Sequence, residues 1–261
     1  MVRRLTIAYR GTAYAGWQRQ KNAEAVQQVI EEALSSLAGQ HLQIFGASRT
    51  DAGVHARGQA AHLEGADGLP NRALIHGINH RLPEDVRILD AVRVAEGFHA
   101  RKHARSKLYS YRLVRTEILS PIDQPFAVRV DKDIDVEAMN AACGGLIGEH
   151  DFTAFALAGG SHKSPVRRVF RAAFEEDGAD VWFLVSGNGF LRGMVRSLVG
   201  TLIEVGVGRR SPESLVDLLR GAPRSAAGPT APARGLTLEE VDFDSRWLVR
   251  AASSTVPSMV N

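Results

Sequence analysis

Asp51 stands between Arg49 and Gly53 in the run Gly46-Ala47-Ser48-Arg49-Thr50-Asp51-Ala52-Gly53-Val54-His55-Ala56-Arg57-Gly58. A carboxylate in that setting is a candidate nucleophile. To act, it must stay ionised although burial raises its pKa, and a nearby guanidinium opposes that rise. Arg49, two residues away, is the local candidate for that guanidinium, and small Ala52 leaves the surroundings open. Roughly 12 residues separate the β-prone segments on either side, where a short turn would do, and long ordered loops tend to carry function. The plainer meaning of an isolated Arg-x-Asp is an Asx-turn with a surface salt bridge.

Other chemical motifs fail on inspection. Gly187-Asn188-Gly189 opens like a dinucleotide fingerprint, but Arg192 stands where the third glycine belongs. Gly159–Ser164 resembles the end of a phosphate-binding loop, yet Ser161 and His162 separate Gly160 from Lys163. His99 and His103 have metal spacing if helical, but they stand among cations. There is no G-x-S-x-G elbow, and the only cysteine, Cys143, lies in an apolar stretch that reads as core. Neither a cofactor nor a metal is expected.

The charge pattern points to a polyanion. The net charge is only +3 and the pI about 9.2. However, Arg101, Lys102, Arg105, Lys107, Arg112 and Arg115 fall within fifteen residues that contain no acid. Residues 131–190 carry ten acids against five bases, so the positive charge is concentrated. Tyr109 and Tyr111 sit inside the basic run, and interleaved cations and aromatics suit a phosphate backbone with stackable bases. A solvated charged face is the alternative. No apolar run is longer than Val181–Val185, against the ~20 residues of a membrane helix. The start, MVRRLTIAYRGT, offers no export signal, so a cytoplasmic location is expected.

The elements that must position these residues follow from periodicity. Thr6–Tyr9 is expected as a strand. Val26, Val29, Ile30, Ala33, Leu34 and Leu37 mark an amphipathic helix stopped by Gly39. Leu42–Phe45 and Gln59–Leu63 read as strands, Pro70 to about His80 as a helix, and Val86–Val94 as a strand. The second part repeats the order: strand Leu108–Val114, helix Val136–Leu146, strands Val166–Phe174 and Val181–Ser186, helix Phe190–Val205, strand Leu238–Phe243. Ser211-Pro212-Glu213 is expected to start a short extra helix, with serine as N-cap. Two successive β-α-β-β-α-β units give an α+β fold of two tandem ferredoxin-like halves, 1–105 and 106–250. Their antiparallel sheets are expected to join around a central basic cleft, and 251–261 to form a flexible tail.

Taken together, these residues resemble the TruA-type tRNA pseudouridine synthases over nearly the whole chain. The core Arg49-Thr50-Asp51-Ala52-Gly53-Val54-His55 resembles the family's active-site motif. Tyr14-Ala15-Gly16-Trp17-Gln18-Arg19-Gln20 is similar to its Y-x-G-W-Q-x-Q segment. Phe98-His99-Ala100-Arg101, Tyr109-x-Tyr111, Asp151-Phe152-Thr153-x-Phe155 and Phe190-Leu191-Arg192-Gly193-Met194-Val195-Arg196 match in order.

The resemblance implies isomerisation of uridine to pseudouridine at positions 38 to 40 of the tRNA anticodon arm, by a homodimer without cofactor or metal. It makes Asp51 the nucleophile, Tyr109 the ring that packs on a flipped base and assists proton removal, Arg196 the partner of the Asp51 carboxylate, and Arg49 a holder of the flipped-out conformation. Leu236, in Arg234-Gly235-Leu236, would cover the base, while Arg101, Lys102 and Arg105 would take phosphates. The chain departs from the family pattern at Gly193, Ser197 and Arg234, where histidine, asparagine and glutamate are usual. A non-catalytic RNA-binding or chaperone module is the competing class, and a nucleotide-cofactor enzyme a weaker third. An acid inside a basic site speaks against mere binding.

Overall fold

A computed structural model describes residues 1–249, so the tail expected at 251–261 lies outside the described residues. First come β1 (Val2–Tyr9), α1 (Val26–Ala38), β2 (Ile44–Gly46), β3 (His55–Glu64), α2 (Asn71–Asn79) and β4 (Val86–Val94). β5 (Ala104–Arg115), β6 (Val128–Val130), α3 (Val136–Gly144), β7 (Gly148–Asp151), β8 (Val166–Asp177) and β9 (Asp180–Gly187) follow. The described chain closes with α4 (Met194–Gly206), α5 (Ser214–Leu218) and β10 (Leu236–Phe243). All strands share one sheet in the order β4-β1-β3-β10-β5-β9-β8-β7, with β2 beside β3 and β6 beside β5. The fold is α+β.

Alternation explains the strands. In β1, Leu5, Ile7 and Tyr9 are buried, and in β9, Val181, Phe183 and Val185, the period-two pattern of strands with one face in the core. Helix α1 buries Val26, Ile30, Ala33 and Leu34 at helical spacing and ends at Gly39, whose φ of 66° is the left-handed conformation glycine adopts freely.

The junction between the two sets of strands differs from expectation. β10 runs antiparallel to β5 but parallel to β3, through Thr237↔His55 and Leu238↔Ala56. Leu238 is thus the neighbour of Ala56 on one side and Tyr109 on the other. With strands ~4.8 Å apart, the start of β3 and Tyr109 are held about 10 Å from each other.

Two helix starts also move. α4 begins at Met194 rather than Phe190, because Gly193 has φ 69° and cannot continue a right-handed helix. α5 begins at Ser214, where the expected cap Ser211 instead uses its carbonyl to accept from Ser214 N–H (3.2 Å) and the Ser214 hydroxyl (2.6 Å). Strands β6 and β7 are too short to leave a periodic signal. Among the described residues no helix is long and apolar enough to cross a membrane.

Candidate active site

The segment between β2 and β3 carries Asp51, and backbone packing shapes it. Trp17 N–H donates to Thr50 O (3.1 Å) and Gly53 N–H to Tyr14 O (3.3 Å), zipping the loop against residues 14–17. That approach needs Gly16: its φ is 101°, and a Cβ there would lie 2.6 Å from Thr50 O. Fully buried Gln59 clamps Ser48 from both sides, accepting from its N–H (3.2 Å) and donating to its C=O (2.8 Å). The Tyr9 hydroxyl meets Thr50 Oγ1 at 2.8 Å, and Lys107 Nζ donates to Ala47 O at 2.7 Å. Asp51 is therefore carried on a loop fixed at its neighbours.

His55 ends the loop at the start of β3. Its Nδ1 accepts from Gly11 N–H (3.1 Å), so the ring proton sits on Nε2 and is donated to Pro125 O (2.9 Å). Burial pushes this imidazole below its usual pKa.

Asp51 opens onto a cleft of about 850 Å³. Arg19, Arg49 and Arg101 line it from residues before β5, and Lys107, Arg167, Arg192 and Arg196 from β5 onward. Among the described residues that line the cleft, Asp51 is the only carboxylate. Its partner is Arg196, with Nη1 3.2 Å from Asp51 Oδ2. Arg49, the candidate closest in sequence, instead reaches across the cleft to Ser161 Oγ at 3.4 Å. The Gly159–Ser164 stretch, which fails as a phosphate-binding loop, thus forms part of the cleft wall through Gly159, Gly160, Ser161 and His162.

Tyr109 forms the floor. It is 5% exposed, its ring meets Phe190 edge-on (5.1 Å between centroids), and its hydroxyl is 2.7 Å from Ser48 Oγ. Burial pushes its phenol up to about 12, although the Ser48 bond opposes this. At neutral pH it is a protonated ring suited to packing and hydrogen bonding. Tyr111, on the same strand face, is fully buried and gives its hydroxyl to Pro232 O (2.7 Å), so it serves the core.

The remaining expected residues divide. Arg101 lines the cleft, whereas Lys102, Arg105 and Leu236 are not among the lining residues. Arg105 points towards Asp244 (3.7 Å). Leu236 is buried opposite Tyr111 in the β5–β10 ladder. His99 and His103 are not a ligand pair: His103 Nδ1 accepts from His99 N–H (3.0 Å) and its ring stacks on Trp247 (4.1 Å).

Sequence reasoning names Lys107 only as one cation of the basic run and does not single out Arg167 or Gln59. Lys107 is two residues before Tyr109, hence on its face of the strand, which is a readable signal. Arg167 and Gln59 leave none. The departures have local reasons. A Cβ at Gly193 would lie 2.4 Å from Leu157 Cδ1, Ser197 is fully buried with Oγ 3.4 Å from Thr230 Oγ1, and Arg234 Nε donates to Ala127 O at 3.1 Å.

Residues 5–101 and 142–244 match the family described as tRNA pseudouridine synthase. A Myxococcus xanthus protein named tRNA pseudouridine synthase A is 45% identical over 241 residues, 92% of this chain and 91% of its own length. Its namesake in Syntrophotalea carbinolica is 44% identical, covering 93% and 96%, and that of Geobacter sp. (strain M21) is 42% identical, covering 92% and 98%.

Proposed function

The chain belongs to the tRNA pseudouridine synthase family, and from that premise we propose that it converts uridine to pseudouridine at positions 38 to 40 of the tRNA anticodon arm, with Asp51 as nucleophile. As a tRNA pseudouridine synthase it is an isomerase. The N1–C1′ bond of uridine breaks, the uracil turns, and C5 joins C1′; C5 loses a proton and N1 takes one. The observation that carries the Asp51 assignment is its position as the only carboxylate among the described residues lining a cationic cleft, paired with Arg196. A binding module has no use for that pair.

A base inside an RNA arm must be extruded before it is reached, at a cost of a few kcal/mol, and a stacked aromatic returns ~1–3 kcal/mol per base. In this reading Tyr109 is that aromatic. Arg196 holds the Asp51 carboxylate, Arg49 takes the backbone beside the flipped nucleotide, and Arg101 takes a flanking phosphate. Shape rather than base sequence selects the arm.

The strand orders β4-β1-β3-β2 and β10-β5-β9-β8 support reading residues 1–105 and 106–250 as tandem ferredoxin-like halves. A homodimer goes with this reading, since the anticodon arm and the elbow of tRNA lie too far apart for one subunit to grip both. Exposed Ile118, Ile122 and Phe126 offer apolar surface for it. A cytoplasmic location follows from the substrate. The test is release of tritium from C5-labelled uridine in unmodified tRNA. Stoichiometric release confined to positions 38 to 40 is expected; release from other positions would reject the site assignment, and none at all would reject the activity.

A further inference from the structure

Phe45, in the middle of β2, is 41% exposed although its neighbour Ile44 is fully buried. Its ring is braced from behind. It lies stacked on the His62 imidazole across the β2–β3 ladder, with centroids 4.9 Å apart and planes 23° apart, and 6.3 Å from His99. His62 and His99 are themselves 4.6 Å apart. Backbone donors fix both imidazoles: Ala100 N–H donates to His62 Nδ1 and Arg101 N–H to His99 Nδ1, each at 3.2 Å. Burial first, then repulsion from the neighbouring imidazoles at His62 and chiefly from Lys102 at His99, lowers both pKa values and favours the uncharged rings.

The patch adjoins the cleft. Gly46 and Ala47, which follow Phe45, line the cleft, and so does Arg101, two residues after His99. Exposed Arg101 and Lys102 stand at the rim, and of the groups acting on the His62 charge only Glu64 is acidic. Asp51 lies six positions after Phe45, a reach of at most about 22 Å. A nucleotide at Phe45 and another at Asp51 therefore fit within one RNA arm.

We propose that the outer face of Phe45, backed by His62 and His99, is a stacking platform for a second nucleobase flanking the target, with Arg101 and Lys102 on the adjoining phosphates. An aromatic face rimmed by cations is the chemistry that takes splayed bases; a protein partner would call for a wider apolar surface. The proposal rests on the reading of the cleft as an RNA site.

The test compares the wild type with Phe45→Ala, Phe45→Leu and Phe45→Trp on unmodified tRNA. Phe45→Ala is expected to raise Kd and KM about tenfold, or ~1.4 kcal/mol, with kcat at saturation unchanged within about twofold. Phe45→Trp restores both and Phe45→Leu does not, which separates stacking from mere burial. In tRNAs with single abasic nucleotides around the target, one position weakens the wild type but not Phe45→Ala, and it identifies the base. Wild-type affinity in Phe45→Ala, or abasic effects that add to the mutation at every position, would overturn the platform while leaving the synthase reading intact. Wild-type protein that neither binds tRNA nor releases tritium would overturn both.

Discussion

Arg196 Nη1 donates to Asp51 Oδ2 at 3.2 Å across 145 residues of sequence, while the same guanidinium gives its Nε–H to Ala231 O at 2.8 Å. The second bond orients the first. Ala231 N–H returns to Arg196 O at 3.0 Å, so the arginine is held at both its backbone and its side chain. The segment 229–231 forms a strap pressed close to α4: a Cβ at Gly200 would strike Pro229 O at 1.7 Å. The carboxylate of the 47–54 loop is thus aimed by a helix start and a strap from the other end of the chain.

Arg196→Met removes the charge and both side-chain bonds, and kcat should fall by about 100-fold, or ~2.7 kcal/mol, within reach of one charge-assisted hydrogen bond. Arg196→Lys keeps the charge without the planar fork and should recover only part of the loss. Single-turnover rates at saturating tRNA check this. Equal rates for Arg196→Met and wild type would detach Arg196 from the chemistry.

Gly193→Ala should destabilise the fold and disturb the cleft together. A left-handed conformation costs a non-glycine residue about 1–2 kcal/mol, and the new Cβ would displace Leu157, a cleft-lining side chain. At roughly 2–4 °C per kcal/mol for a chain of this size, Tm should drop by about 2–8 °C and KM for tRNA should rise. An unchanged melting curve would mean that the α4 start tolerates a side chain.

Much of this fold is legible in the sequence because α1, β1 and β9 carry clean periodicities and Gly39 punctuates the first helix. The start of α4 is not, since Phe190, Leu191, Met194 and Val195 look helical while one backbone angle at Gly193 forbids it. The candidate loop is legible because a long, small-residue segment around one acid is unusual. Its charge partner is not: spacing favours Arg49, and nothing local ties Asp51 to Arg196. Gln59 and Arg167 are invisible for the same reason, as their roles come only from strands brought side by side.

Lys107 should give tRNA binding an alkaline limb. Burial, with Arg101 and Arg167 adding to it, pushes its ammonium down from 10.5 to about 8. Between those values the unfolded chain holds a proton that the folded protein lacks, so this group makes folding more favourable as pH rises. Its effect on RNA has the opposite sign, because a neutral amine attracts no phosphate. Affinity should therefore decline as pH passes through about 8, and Lys107→Arg, charged throughout, should flatten that decline. Titrations of tRNA binding from pH 7 to 9 check this; identical profiles for the two proteins would refute it.

Arg101 and Arg105 should separate in their salt dependence. Arg101 lines the cleft, whereas Arg105 is directed towards Asp244. Arg101→Gln should lower the slope of log affinity against log salt by about 0.7–0.9, one phosphate contact, and Arg105→Gln much less. Equal slopes for both variants would place the RNA elsewhere on the basic surface.

Asp51→Asn decides between nucleophile and binding residue. The substitution keeps size and hydrogen bonding but removes the anion, so if the carboxylate attacks the nucleotide, turnover should fall below detection, since covalent chemistry has no substitute there. Binding of tRNA should stay within about tenfold, a ~1.4 kcal/mol window, because phosphate contacts and stacking supply most of it, and losing a negative charge that faces RNA favours tightening. Arg196 loses its anionic partner yet keeps Ala231 O, so melting should shift only modestly. C5 tritium release near the wild-type rate from a folded Asp51→Asn protein would overturn the assignment. Joint loss of activity and binding in a protein that still melts cooperatively would make Asp51 an RNA-binding or loop-shaping residue and move the nucleophile elsewhere.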